Sequence, residues 1–325
     1  MNFTTTFEIA PSKTKISLQS KIITIGSCFS DVVGSQLIDN KMEVVVNPFG
    51  TVFNPSSIFK LLNQCIDKSD IVSDHFVERE GVWYHYDFHS KYNSINKEDL
   101  NTELKLAQNE VLEKLHTADF LVITLGTSFA YQLLNTKKYV ANCHKAPASL
   151  FKKELLHVKH ICQEFELFYS KIKKINPTIN IVLTVSPVRH IKDGMPENQV
   201  SKSILRAACH YLCLDFKGVS YFPSYEIMVD ELRDYRFYKS DMIHPNQQAE
   251  NYIFERFTAT YFDEHLLEFL RDWAKIKSDI DHLPFNEKSD LHQKFLKNLF
   301  KKLEKISEIV EVEKEKEAVL SRIFV

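Results

Sequence analysis

The sequence predicts an α/β fold in which helices cover both faces of a parallel five-stranded sheet, followed by a helical extension. Two observations predict it. Over the first two-thirds of the chain, short apolar segments alternate with longer amphipathic ones, as in successive βαβ units. After about residue 262, apolar residues recur at helical spacing between charges of both signs. We therefore divide the chain into a main domain, residues 1–262, and a C-terminal helical extension, residues 263–325.

The predicted strands are short apolar segments that alternate with the longer amphipathic ones. They comprise residues 21–25, 43–46, 118–125, 179–185 and 218–222. A further aromatic segment, residues 82–88, predicts a hairpin inserted between the second and third strands.

The predicted helices between and after these strands are amphipathic. They comprise residues 30–39, 56–67, 100–115, 155–172, 199–213 and 246–261. In the extension, the apolar stripes of residues 266–276 and 291–310 are separated by a segment containing Pro284, which would end a helix. We expect a helical hairpin packed on the main domain or on a second copy in a homodimer; the alternative is a solvated terminal helix without a partner.

Composition excludes several classes of protein. Lys and Arg number 41 and Asp and Glu 43, so a net charge of −2 argues against nucleic-acid binding through a broad basic surface. The six cysteines include no CxxC pair, which argues against a disulfide scaffold or a zinc ribbon. The N-terminus lacks the pattern of a signal peptide, and no apolar stretch is long enough to span a membrane. We expect a cytoplasmic protein without a cofactor.

Chemistry in a parallel sheet gathers at the carboxyl ends of the strands. Gly26, Ser27 and Cys28 follow the first predicted strand and lead directly into a helix. Since unpaired amides at a helix N-terminus favour negative charge, a thiol at this position is expected to have a lowered pKa. The alternative is that Ser27 and Ser30 only cap the helix.

Two later turns provide candidate backbone donors. Gly50 follows the second strand, and Gly126 with Thr127 follows the third. Either turn could bring an amide to a bound group, although ordinary turn formation also explains both.

Asp241 and His244 form the most specific local pattern. At a spacing of three residues, the carboxylate can accept a hydrogen bond from Nδ1 and leave Nε2 to act as a base. Asn246 is placed to cap the helix that follows.

Over roughly residues 20 to 260 the chain resembles the GSCFA family, a bacterial branch of the SGNH/GDSL-like hydrolase superfamily. The resemblance rests on GSCFS (26–30), NPFGTVFNP (47–55), DFHS (87–90), TLGTSFAY (124–131), ANCHKAP (141–147), TVSPVRH (184–190) and DMIHPN (241–246). It implies a flavodoxin-like three-layer α/β/α sandwich and acyl-ester chemistry. In that superfamily the nucleophile follows the first strand, and Asp and His come from a late DxxH.

Two departures from the superfamily pattern concern the site. A gapless overlay of Gly-Asp-Ser-Leu on residues 26–29 puts Cys28 at the nucleophile position, whereas a shift of one residue restores Ser27. We favour Cys28. The usual Gly-x-Asn oxyanion motif reads Gly126-Thr127-Ser128, so Asn142 or Thr127 would replace the missing donor. His89 and His144 are further candidate substrate contacts, or structural histidines.

The sequence therefore predicts an acyl-ester hydrolase, acting on a small-molecule or glycan ester such as an acetyl ester, or an acyltransferase. A Cys28 or Ser27 nucleophile, His244 and Asp241 would form the triad, with amides at Cys28, Gly50 and Gly126 binding the oxyanion. The main alternative is a non-catalytic binding protein that retains the fold. A metal-dependent hydrolase using Asp241, His244, His89 and His144 is a third interpretation, which lacks a compact ligand motif.

Overall fold

The computed structural model describes residues 5–324. In chain order the strands are β1 (Ile22–Gly26), β2 (Val44–Val46), β3 (Phe76–Arg79), β4 (Val82–His85), β5 (Phe120–Leu125), β6 (Phe129–Leu133), β7 (Lys138–Val140), β8 (Phe151–Leu155), β9 (Asn180–Val185) and β10 (Val219–Phe222). The helices are α1 (Cys28–Asp39), α2 (Pro55–Ile66), α3 (Lys97–Thr117), α4 (Val158–Ile175), α5 (Met195–Asp215), α6 (Ser224–Glu226), α7 (Gln247–Tyr261), α8 (Glu264–Asp281), α9 (Asp290–Ile306) and α10 (Glu313–Leu320).

The central sheet has five strands in the order β10-β9-β5-β1-β2, and every neighbouring pair is parallel. This confirms the predicted sheet, and each predicted strand matches an observed one within two residues. Gly26 of β1 is paired with Thr124 of β5, and Thr124 is paired with Thr184 of β9. The carboxyl ends of these strands therefore meet at one edge, where the candidate site residues lie.

Alternate residues of the strands enter two separate cores, one on each face of the sheet. Ile23 and Ile25 pack with side chains of α2, α3, α4 and α5. Ile22 and Val122 point to the other face, where α1 and α7 supply the apolar partners. Each fully buried side chain of this size contributes about 1.5–3 kcal/mol relative to its exposed state. The main domain is thus a three-layer α/β/α sandwich.

Two small antiparallel sheets are inserted into the main domain. The hairpin of β3 and β4 lies where a hairpin was predicted. The three-stranded sheet in the order β7-β6-β8 was not predicted. In particular, Leu155 was assigned to a helix but ends β8, where it pairs with Phe129, and α4 begins only at Val158.

The C-terminal extension consists of α8, α9 and α10, whereas two helices were predicted. Trp273, Leu299 and Leu303 contribute to a core that these helices share. The extension packs on the main domain: Trp273 Nε1 donates to the carbonyl of Asp39 at 2.8 Å, and Lys41 pairs with a carboxylate of α10. Within residues 5–324, no helix is both long enough and apolar enough to cross a membrane.

Candidate active site

A tight turn after β1 places the two candidate nucleophiles. Gly26 has a φ of 137°, and a Cβ atom there would lie 2.1 Å from the carbonyl oxygen of Thr124 on β5. Only glycine allows the two strand ends to approach this closely. The next amide, that of Ser27, donates to the same carbonyl at 3.0 Å, so the chain is held as it turns into α1.

The turn separates Ser27 from Cys28. Ser27 is the N-cap of α1: its side chain is buried, and Oγ accepts a hydrogen bond from the Phe29 amide at 3.4 Å. Cys28 is the first residue of the helix and remains partly exposed. The capping role expected as an alternative thus belongs to Ser27, and the thiol is the more accessible of the two candidates.

The charge environment of Cys28 corrects one expectation. Burial raises the pKa of its thiol above the ordinary value, and the carboxylate of Asp31 raises it further. The ammonium of Lys202 and the amides of Cys28 and Phe29 lower it, but they do not outweigh the first two effects. The predicted lowered pKa is therefore wrong for the free protein, because desolvation exceeds the effect of the helix terminus. Ionisation of the thiol requires a proton acceptor.

Asn47, at the end of β2, supports this turn. Its Oδ1 accepts a hydrogen bond from the Gly26 amide at 2.8 Å, and its Nδ2 donates to Asp31 at 2.7 Å. Asn47 is buried and adopts a positive φ of 40°, a conformation that Asn tolerates better than most residues. The sequence showed only a turn motif at this point, so the supporting role was not predicted.

Asp241 and His244 form the predicted pair. His244 Nδ1 donates to Asp241 Oδ2 at 2.7 Å, while Asp241 Oδ1 accepts from the amides of Ile243 and His244 at 2.9 and 3.0 Å. These two amides, His244 first, and the imidazole lower the pKa of Asp241 to about 2. Asp241 is therefore ionised at neutral pH and fixes the tautomer that leaves Nε2 as an acceptor.

The loop carrying this pair is anchored to the segment after β9. The amide of Arg189 donates to Ile243 O at 3.2 Å, and its guanidinium donates to Met242 O at the same distance and stacks on Tyr238. Within residues 5–324, no hydrogen bond joins His244 Nε2 to Cys28 or Ser27. Cys28 and the Asp241–His244 pair thus both follow carboxyl ends of sheet strands or are anchored to such a segment, and no hydrogen bond among the described residues joins them.

Three of the predicted oxyanion donors already have partners. The Gly50 amide donates to Asn47 O at 2.7 Å, and the amides of Gly126 and Thr127 both donate to Phe53 O, at 2.8 and 3.1 Å. The hydroxyl of Thr127 is also engaged, because it lies 3.0 Å from Ser201 Oγ. In this conformation these groups do not bind an oxyanion. The amide of Cys28, in the first turn of α1, is the remaining backbone candidate.

His89, Asn142 and His144 lie around Ser90 in the inserted segments. Asn142 Nδ2 donates to Ser90 Oγ at 3.2 Å, and His144 Nδ1 accepts from the same hydroxyl. His144 Nε2 donates to a backbone carbonyl, and burial lowers its pKa. A Cβ atom on Gly50 would collide with His89, which places this group beside the end of β2.

Metal ligation was the basis of the third interpretation. In the part of the chain that the structure describes, no three His, Cys, Asp or Glu side chains are grouped to hold a metal ion. Asp241, His244, His89 and His144 are therefore not brought together as a ligand set.

Lys202 on α5 is a site residue that was not predicted. Its side chain is fully buried, and Nζ donates to Gly126 O at 2.8 Å and to Ser186 O at 2.7 Å. Burial lowers the pKa of Lys202 to about 7, and the neighbouring Cys28 thiol opposes that shift. A signal was present in the sequence, because Lys202 continues the helical stripe of Leu205, Cys209 and Leu212.

Two family models match the chain. One, described as the GSCFA family, matches residues 21–257, and the other, described as GSCFA domain protein, C-terminal domain, matches residues 273–324. No curated protein matches the chain.

Several solved structures are similar at low sequence identity. A protein from Streptococcus pneumonia, provisionally described as a platelet activating factor, is 10% identical, with 74% of this chain and 83% of that chain covered and a TM-score of 0.39. A family 3 carbohydrate esterase from Talaromyces cellulolyticus is 8% identical (78% and 99% covered, TM-score 0.36). A family 3 carbohydrate esterase from Clostridium thermocellum is 11% identical (80% and 100% covered, TM-score 0.32).

Proposed function

Because the chain belongs to the GSCFA family, we propose that it catalyses acyl transfer from an ester, to water as a hydrolase or to another alcohol as an acyltransferase. The observation that carries the proposal is the hydrogen bond between Asp241 and His244 on an exposed loop, which leaves Nε2 free to exchange a proton. A partly exposed thiol at a helix N-terminus, at the same edge of the sheet, is the nucleophile that this pair would serve.

The proposed reaction has two steps. Cys28 Sγ attacks the carbonyl carbon as His244 Nε2 accepts the thiol proton, the carbon–oxygen bond of the ester breaks, and the alcohol leaves with that proton. Water or a second alcohol then attacks the thioester and gives a proton to His244, the carbon–sulfur bond breaks, and His244 returns the proton to Sγ. Asp241 stabilises the imidazolium in both steps, and the amide of Cys28 donates to the oxyanion. We propose a small-molecule or glycan ester, such as an acetyl ester, as the substrate class.

The experiment that tests this proposal is acyl-enzyme trapping with p-nitrophenyl acetate. Rapid quenching and peptide mass spectrometry should find an acetyl group on Cys28, with a burst of p-nitrophenol equal to the protein concentration. Cys28→Ala should abolish the burst, while Cys162→Ala, which removes another partly exposed thiol, should retain it. Adding glycerol in excess and measuring acetylglycerol then separates transfer from hydrolysis.

The engaged amides of Gly50 and Gly126 favour a second candidate, a binding protein that retains the fold without catalysis. This candidate predicts no burst and no acetylated cysteine with any activated ester. The same experiment therefore decides between the two functions.

A further inference from the structure

Lys202 is a buried amine that has no carboxylate partner among residues 5–324. It extends from α5 toward the carboxyl edge of the sheet, where Gly126 O and Ser186 O accept its two hydrogen bonds. Among the residues that the structure describes, Cys28 is the one acidic side chain whose charge affects it. Burying a lysine in this way is costly, so an arrangement that only joined two loops would be better served by a neutral donor.

The sheet places the turn that carries Cys28 beside the turn at Gly126, and the Gly126 carbonyl accepts a hydrogen bond from Lys202 Nζ. Gly26 and Thr124 are paired, and adjacent strands lie about 4.8 Å apart. Cys28 and Gly126 each follow their paired residue by two positions, and Lys202 Nζ is bonded to Gly126 O. The electrostatic effect is reciprocal, since Lys202 favours the thiolate of Cys28 and that thiolate favours the ammonium of Lys202.

The hydrogen bonds of Lys202 leave one position on Nζ for a proton. Two of its N–H bonds point to Gly126 O and Ser186 O, and one tetrahedral position besides the Cε bond remains. In the neutral amine this position holds the lone pair, and in the ammonium it holds a third N–H. A proton can therefore be gained or lost there while both carbonyls stay satisfied.

We propose that Lys202 is a positioning residue that sets the ionisation of Cys28 in the free protein. As the Sγ–H bond of Cys28 breaks, a new N–H bond forms at the open position of Lys202 Nζ. The thiolate–ammonium pair then holds as many protons as the thiol–amine pair. The inference rests on the proposed function in taking Cys28 as the nucleophile; His244 acts once substrate is bound.

Other titratable groups face this pair from the neighbouring elements. Asp31 on α1 faces Cys28, while His190 after β9 and Tyr225 after β10 face Lys202. Burial, with a smaller effect of Lys202, lowers the pKa of His190 to about 4, and burial raises the pKa of Tyr225. Neither changes its charge near neutral pH, whereas Lys202, with a pKa of about 7, does.

The test measures the alkylation rate of Cys28 by iodoacetamide from about pH 5 to about pH 10, read at this cysteine by peptide mass spectrometry. In alkylation the Sγ–C bond forms and iodide leaves, so no ester substrate is required. The wild-type rate should rise through an inflection near pH 7, level off, and rise again at higher pH, as expected of a coupled pair.

The variants assign the first inflection. Lys202→Met should leave a single rise at high pH and lower the rate near pH 7.5 by about tenfold or more, the effect of one pKa unit. Lys202→Arg, which stays charged, should show a single rise at lower pH than Lys202→Met. His244→Gln should keep the inflection near pH 7, which shows that the inflection does not depend on His244.

An unchanged profile in Lys202→Met, or loss of the inflection in His244→Gln, would overturn the proposal. Circular dichroism shows whether Lys202→Met folds. If it does not, the wild-type and His244→Gln proteins still test the proposal. An inflection near pH 7 in both proteins supports it, and the absence of this inflection from the wild type refutes it. Failure of the proposed function gives a different result, because ester turnover would then be absent or would survive Cys28→Ala.

Discussion

The side chain of Asn47 accepts a hydrogen bond from the buried amide of Gly26 at 2.8 Å and thereby links the ends of β1 and β2. The same side chain donates to Asp31 on α1, so one residue holds the turn that precedes Cys28 and the helix that follows it. The geometry of the proposed nucleophile therefore depends on a residue 19 positions later in the chain.

Asn47→Ala should destabilise the fold and lower the reactivity of Cys28. The substitution leaves the buried Gly26 amide without an acceptor, which costs about 1–3 kcal/mol of unfolding free energy. Urea unfolding measures the loss, and alkylation of Cys28 measures the displacement of the turn. Asn93→Ala is the control, because Asn93 is exposed and donates only to nearby carbonyls. Equal stability of the two variants would show that Asn47 does not hold the turn.

Most of the sheet could be predicted because alternation of apolar and amphipathic segments is a local property of the sequence. The inserted sheet could not, since its strands are short and Leu155 lies close enough to Val158 to continue a helical stripe. The pKa shift of Cys28 was predicted in the wrong direction. The helix terminus is visible in the sequence, whereas burial of the thiol and its proximity to Asp31 depend on packing. The sequence held a signal for Lys202, its place in the helical stripe of Leu205, Cys209 and Leu212, but that signal identifies a buried lysine only when the stripe faces the core.

Asp241→Asn should leave the fold intact and lower kcat on an activated ester by about 10²–10⁴-fold, by analogy with other triads. The amide cannot stabilise the imidazolium, and it can hold His244 in the tautomer that protonates Nε2. Because both side chains are exposed, the melting temperature should change little. Asp234→Asn is the matched control. Asp234 is also exposed, and an Asn at this position can still accept the hydrogen bond from the Arg236 amide. Full activity of Asp241→Asn would make the pair structural.

Substitutions at Cys28 and Ser27 should affect different properties. Cys28→Ser should lose most of the activity while keeping stability, because its side chain is partly exposed. Ser27→Ala should lose about 0.5–2 kcal/mol of stability through the missing cap and retain more activity. Steady-state kinetics and thermal unfolding measured on both variants separate the two effects. An inactive but stable Ser27→Ala, together with an active Cys28→Ser, would exchange the proposed roles.

Asp87 should make the stability of the protein depend on acidity. Its carboxylate is fully buried, and Oδ1 accepts from Lys60 Nζ at 2.5 Å and from His75 Nδ1 at 3.0 Å. Burial by itself would raise the pKa of Asp87, but Lys60 and then His75 outweigh burial and hold the pKa well below its usual range. The folded state thus prefers the ionised carboxylate more strongly than the unfolded chain does, for which an Asp pKa is about 3.9.

The sign of the pH dependence follows from this difference. Between the pKa of Asp87 in the folded protein and about pH 5, the unfolded chain binds more protons at this residue than the folded protein does. The contribution of Asp87 to the free energy of unfolding is therefore complete at neutral pH and declines as the pH falls through that range. Asp87→Asn leaves Lys60 as an unpaired, largely buried charge and should cost about 3–5 kcal/mol at pH 7. Urea unfolding at pH 7 and at about pH 3 should show the gap between wild type and variant narrowing with acid. Asp70→Asn, at an exposed pair with Lys105, should change stability by less than about 1 kcal/mol at either pH. A gap that stays constant with pH would mean that Asp87 stabilises the fold by packing alone.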